Sequence, residues 1–163
     1  MKNRIRLERF AGEAEFPYFA ELAFNEAVMH MNMGRIFTQE EAQAYYANIL
    51  EYNRSEESSG TYKIFLRRGG SYIGICSLWR RGDAAEVEYM LLPAYWGNGY
   101  ATEAVARLVA TARQIPGVRK ISGLIDPENT SSKNVLLKNG FAHEAHTEIE
   151  EDGSAAEILS LPL

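Results

Sequence analysis

The sequence predicts an α/β fold: an α+β mixed sheet with helices, in one domain, ordered β-α-α-β-β-β-α-β-α-β-β. Three observations predict it. Arg4 to Phe10, "RIRLERF", alternates apolar and charged residues, the period of a half-buried strand. "TYKIFLRR", "SYIGICSLWRR" and "AAEVEYMLL" are strand-like runs separated by the Gly69-Gly70 and Gly82-Asp83 turns, which makes them an antiparallel meander. Ala104, Val105, Leu108, Val109 and Ala112 then recur at helical spacing within Ala101 to Gln114.

The remaining elements follow in order. "AGEAEFPYFAELAFNEAVMHMN" reads as helix, broken near Pro17 or around Asn25. Thr38 with Glu41 three residues on forms a capping box, which predicts a helix from about Gln39 to Tyr52. "NRSEESSG" is a polar loop. The helix from Ala101 stops before Pro116-Gly117. "RKISGLID" is a strand, followed by a helix over Thr130 to Lys138 that closes at Asn139-Gly140. "FAHEAHTEIEE" and "SAAEILSL" form a final hairpin around Asp152-Gly153.

Composition bounds the function. A chain of 163 residues, 46% hydrophobic and 24% charged, is long enough to bury an ordinary core. A net charge of −5 argues against non-specific nucleic-acid binding, which needs clustered cations. Cys76 is the single cysteine, so no intrachain disulfide forms and a reducing compartment is expected; it reads as a buried hydrophobe. With no signal-like segment and no run of about 18 apolar residues, the expectation is a soluble cytoplasmic protein without a membrane partner. His30, His143 and His146 lack metal-ligand spacing, so no metal is expected. The aromatics Tyr45, Tyr46, Trp79, Tyr89 and Trp96 read as core or cleft lining, and "MHMNMG" as simple packing by flexible Met side chains.

The turn "LLPAYWGNGYATEA" carries the chemistry. The first turn of a helix leaves N–H groups without intrahelical partners, and the aligned peptide dipoles add partial positive charge. Glycines there let an anion approach the backbone. A nucleoside triphosphate site would place a lysine and a hydroxyl residue after the last glycine, but Tyr100-Ala101-Thr102 follows. A dinucleotide fingerprint would add a third glycine, which is missing. A metal-free diphosphate remains, which suggests coenzyme A.

"AEVEYMLLPAYWGNGYATEA" resembles the acetyl-CoA-binding motif of the GNAT N-acetyltransferase superfamily, in its RimJ/RimL-type ribosomal-protein alanine N-acetyltransferase branch. "NTSSKNVLLKNGF" resembles a second motif of that branch, with Asn129, Ser132, Val135, Leu136, Lys138, Gly140 and Phe141 in register. The resemblance spans the chain and implies the GNAT acyl-CoA N-acyltransferase fold. It implies that the last meander strand splays from the strand after the helix and that the pantetheine arm inserts between them. Leu91 and Leu92 would then pair with pantetheine amides. The N–H groups of Trp96, Gly97, Asn98, Gly99, Tyr100 and Ala101 would hold the diphosphate, and Asn129 would bond the arm near its thiol. The family carries Arg or Gln where this chain has Ala94; Lys133 and Arg107 are the candidate substitutes.

Acetyl transfer needs a neutral amine. Deprotonation near neutral pH costs about 4.6 kcal/mol for a lysine-like amine and about 1.4 for an α-amine, so a general base is expected. Glu86 and Glu88 lie two apart on one sheet face. Glu86 matches the superfamily's base, while Glu88 stands where the branch has glycine. Superfamily members place an acidic tyrosine at Leu136; the branch assigns that role to a serine at Ser132, which also reads as a helix N-terminal residue serving backbone N–H groups. The expectation is an acetyl-CoA-dependent N-acetyltransferase acting by direct attack. Its acceptor is a protein N-terminus or a small-molecule amine, and the chain is a monomer or homodimer. The alternative is a non-catalytic acyl-CoA-binding regulatory module.

Overall fold

The computed structural model describes residues 2–149 and 152–163. The predicted last residues of the first hairpin strand, Glu150 and Glu151, lie outside them. The elements are β1 (Ile5–Arg9), α1 (Phe16–Ala23), α2 (Glu26–Asn32), α3 (Gln39–Ser55), β2 (Gly60–Leu66), β3 (Tyr72–Arg81) and β4 (Ala84–Leu91), then α4 (Tyr100–Arg113), β5 (Lys120–Ile125), α5 (Thr130–Lys138), β6 (Ala142–Glu148) and β7 (Ala155–Pro162). The sheet runs β1-β2-β3-β4-β5-β7-β6. Its pairs are antiparallel except β4–β5, which is parallel.

The segment before Thr38 forms two helices, one more than the predicted order counts. The break falls at Asn25, whose side chain accepts from Val28 N and caps α2, whereas Pro17 sits harmlessly in the first turn of α1. The Thr38–Glu41 capping box forms in both directions, and α3 runs one turn beyond its predicted end.

Strand alternation puts two cores on the two sheet faces. Ala85, Val87 and Leu91 of β4 face α4 and α5, joining Val105, Leu108 and Leu136. Ile75, Met90 and Leu92 face α1 to α3, joining Phe19, Leu22, Tyr46 and Ile49. Each such large apolar side chain contributes roughly 1.5–3 kcal/mol by leaving water. Cys76 is fully buried, and burial pushes its thiol up, consistent with an inert packing role.

β4 and β5 pair only from Ala84↔Lys120 to Val87↔Gly123 and then separate. Gly123 permits the crowding that follows: a Cβ there would stand 2.8 Å from Leu136 Cδ1. Leu136 therefore seats fully buried over the last paired residue, and α5 closes one side of the opening.

Candidate acyl-donor cleft

Beyond Val87 the separating strands open a cleft of about 400 Å³, walled by β4, the turn after it, the start of α4, the outer side of α5, and Val28, Met31 and Asn32 of α2. Leu91, Trp96, Gly97, Gly99, Tyr100, Ala101, Asn129 and Ser132 line it; Glu86, Leu92 and Asn98 do not.

The turn is built for its N–H groups. Gly97 has φ 77 and Gly99, the N-cap of α4, has φ 80, a left-handed conformation that glycine adopts without strain. Trp96 N donates to Pro93 O, so the free donors begin one residue later than predicted. Glu103 N is the first to reach back into the turn, to Gly99 O. The N–H groups of Gly97 to Thr102 thus have no protein acceptor among the described residues, and all of these residues except Asn98 line the cleft. An added Cβ at Gly97 meets nothing within 4 Å.

The turn is braced from a strand that sequence reasoning did not connect to it. Arg4 Nη1 donates to Asn98 O at 2.9 Å, and the guanidinium lies 4.4 Å from the Tyr100 ring centroid. Its Nη2 is 3.4 Å from where a Gly99 Cβ would stand. Arg4 is itself paired with Glu103 at 2.9 Å, which leaves Lys138 as the cation in the cleft wall. The predicted substitutes for Ala94 lie elsewhere. Lys133 pairs with Glu157 at 3.1 Å, and Arg107 sits about 10 Å down α4, donating to Asn3 in a separate groove.

Backbone direction in β4 corrects one expectation. Leu92 N donates to Ile73 O, so even-numbered residues of this antiparallel pair direct their polar groups toward β3. Leu92 is therefore not available to the opening. The odd-numbered Tyr89 and Leu91 face it, although Leu91 O already accepts from Trp96 Nε1 at 2.8 Å.

Asn129 is the N-cap of α5, its Oδ1 accepting from Ser132 N at 3.1 Å. That replaces the reading of Ser132 as the capping side chain. Ser132 Oγ instead shares a 2.8 Å hydrogen bond with the Tyr89 hydroxyl, which also lies 2.9 Å from Ser132 O. The sequence shows Tyr89 only as lining, because no local pattern announces a contact between a strand and a helix so distant in sequence. Leu136, the position of the family's tyrosine, is in the core and not in the cleft.

Glu86 and Glu88 share the opposite sheet face, toward α3. Burial first, and Glu88 second, push the Glu86 carboxyl above its ordinary range, with Arg81 Nε at 3.8 Å opposing them. Glu88 lies one step past the last β4–β5 pair and accepts from Tyr45 at 3.0 Å. Among the described residues no group of His, Cys, Asp or Glu is arranged to hold a metal, and no helix is long and apolar enough to cross a membrane.

The sequence matches a family model described as "Acetyltransferase (GNAT) domain" over residues 4–142. It is 32% identical over 72 residues to the "Uncharacterized N-acetyltransferase YoaA" of Bacillus subtilis (strain 168), a match covering 44% of this chain and 41% of that relative's length. Two solved structures share the fold. The spermidine N-acetyltransferase from Vibrio cholerae, in complex with CoA and spermine, superposes with a TM-score of 0.80 at 15% identity, covering 99% of this chain and 96% of that one. RimL, the ribosomal L7/L12 alpha-N-protein acetyltransferase in complex with coenzyme A, does so at 0.78 and 20% identity, with the same coverages of 99% and 96%. At such identities the likeness concerns the fold alone.

Proposed function

The chain belongs to the GNAT acetyltransferase family, and from that premise we propose that it moves the acetyl group of acetyl-CoA to a primary amine by direct attack on the thioester. The observation that carries this reading is the row of unpartnered N–H groups from Gly97 to Thr102 beside a strand gap. Such a row, at the positive end of α4, suits a diphosphate without a metal. The gap beyond Val87 suits the pantetheine arm, with Tyr89 and Leu91 presenting backbone groups to it. Asn129 and Ser132 flank the thiol end.

In this reading the acceptor enters from the side of α2 and α3. Glu86, its carboxyl held above the ordinary range by burial, takes the ammonium proton through water; the neutral amine then forms the C–N bond, and the second proton on its nitrogen passes to solvent as the adduct collapses. In that collapse the C–S bond breaks, its electron pair leaving on sulfur near Ser132. Glu88 is a second candidate base because it stands nearer the gap, but its bond from Tyr45 suits a fixed wall better than a proton carrier. Exposed Met31 and Trp96 at the cleft, with Met33 and Ile36 nearby in sequence, favour an acceptor whose amine sits on an apolar body, such as a peptide N-terminus or a hydrophobic small amine. The RimL-like placement within the family rests on that point and on the sequence motifs.

The test is a panel of amines incubated with acetyl-CoA, reading released thiol. Apolar α-amines turning over above background support the proposal. Cofactor binding without turnover of any amine supports the non-catalytic module instead.

A further inference from the structure

Tyr89 reaches from β4 to the first turn of α5, and its hydroxyl faces two oxygens of one residue: Ser132 Oγ at 2.8 Å and Ser132 O at 2.9 Å. A phenol has one proton, so it serves one of these acceptors at a time. When Tyr89 donates to Ser132 O, the serine hydroxyl donates back to the phenol oxygen and offers the cleft only lone pairs. When Tyr89 donates to Ser132 Oγ, the serine proton is free to turn into the cleft. The two arrangements differ only by rotation of two hydroxyls.

We propose that Tyr89 is a positioning residue for departure of the thiol: as negative charge grows on the coenzyme A sulfur, Tyr89 moves its hydrogen bond from Ser132 O to Ser132 Oγ, and Ser132 donates to the sulfur. This rests on the acetyltransferase reading of the cleft. The C–S bond breaks with its electron pair on sulfur, the amine's protons go to the base side and to solvent, and Tyr89 and Ser132 each keep their proton. Burial pushes the Tyr89 phenol up to about 12, far above a thiol near ~8.5. The phenol therefore stays protonated while the thiolate forms, and acts as a fixed donor and not as an acid.

The rest of the site is consistent with this division of labour. Asn129 Oδ1 holds Ser132 N at 3.1 Å and so fixes the turn that carries the serine. Leu136 is sequestered over Gly123 and brings no hydroxyl to the sulfur. The hydroxyl pair formed between β4 and α5 does from two elements what one acidic tyrosine on α5 would do alone.

The experiment titrates the thiol of bound coenzyme A by its ultraviolet thiolate absorbance, subtracting the free protein. The wild-type complex is expected to ionise about one pH unit or more below free coenzyme A, the effect of a hydrogen bond to a charged acceptor. Tyr89→Phe keeps the ring that packs on the core but removes the donor that supports Ser132 Oγ, and returns the titration toward the free value by about half a unit, roughly a threefold loss of thiolate stabilisation. Ser132→Ala removes the donor to sulfur and returns it by about one unit, and the double variant goes no further than Ser132→Ala. In turnover, Tyr89→Phe lowers kcat about threefold with KM for acetyl-CoA within about twofold. A Tyr89→Phe complex that titrates like wild type, or shifts from the two substitutions that add, overturns the proposal. If coenzyme A forms no complex with the wild-type protein, this inference and the acetyltransferase reading both fall, a result distinguished by the absence of any saturable binding.

Discussion

Arg4 Nε stands 2.9 Å from Glu103 Oε2, joining the residue before β1 to the first turn of α4. Glu103 is 3% exposed and also accepts from Arg4 N at 2.6 Å and Ile5 N at 3.3 Å. One buried carboxylate thus anchors the first strand, and the same arginine holds Asn98 O in the turn. Removing the carboxylate strands three donors. Glu103→Ala should lower the unfolding free energy by about 3 kcal/mol, measured by urea denaturation. Arg4→Ala should cost less, because the backbone donors remain, yet raise the Kd for acetyl-CoA by about fivefold through the loosened turn.

Gly97 separates conformational from electrostatic effects. An added Cβ there has open space, so Gly97→Ala carries only the left-handed backbone cost of about 1–2 kcal/mol. Gly97→Glu carries that cost and also places a negative charge among the N–H groups. Calorimetry should show the alanine variant binding coenzyme A within about tenfold of wild type and the glutamate variant weaker than that by at least about a hundredfold. Equal affinities for the two variants would contradict the cradle.

Glu86, as the proposed base, is expected to link activity to pH. Its carboxyl is raised in the folded protein, chiefly by burial and then by Glu88, so the native state holds this proton more tightly than the unfolded chain does. Stability from this group is full below its unfolded value and declines as pH rises through the folded one. Glu86→Gln should therefore raise Tm at neutral pH, with the gain vanishing in acid. The same substitution should slow transfer most for high-pKa amines, while wild-type kcat/KM rises with pH through the elevated carboxyl value. A pH–rate profile unchanged by Glu86→Gln assigns the base elsewhere, and Glu88→Gln identifies whether it is the neighbour.

Restoring the family's tyrosine should fail here. Leu136 is fully buried with its methyl groups against Gly123. Leu136→Tyr overfills that site, and thermal denaturation should report a loss of about 1–3 kcal/mol with no gain in kcat.

Local chemistry was legible in the sequence where local forces decide. The Thr38–Glu41 capping box, the glycine turns of the meander and the Thr130–Lys138 bounds of α5 all follow from neighbours in the chain. The two glycines around Asn98 likewise announce a turn that opens a helix, and the structure gives both a left-handed conformation. What escaped was set by distant partners. Nothing near Leu92 says that its amide points to Ile73, since pairing parity depends on the β3 register. Nothing local separates Trp96 N from the free donors after it; the short 3-10 turn at Pro93–Tyr95 engages it. Arg4 and Tyr89 act on residues 94 and 43 positions away. Their roles appear only when the sheet brings the strands to the helices.

The proposed transferase function requires that backbone N–H groups at the head of α4 hold the diphosphate of coenzyme A. The most direct measurement is an amide-resolved NMR titration of the labelled protein with coenzyme A, alongside desphospho-pantetheine as a ligand that lacks the diphosphate. With coenzyme A the largest amide shifts are expected at Gly97, Asn98, Gly99, Tyr100, Ala101 and Thr102, and with the truncated ligand these are lost while Tyr89 and Leu91 still respond. Saturable binding that leaves the amides from Gly97 to Thr102 unmoved would contradict the proposed function.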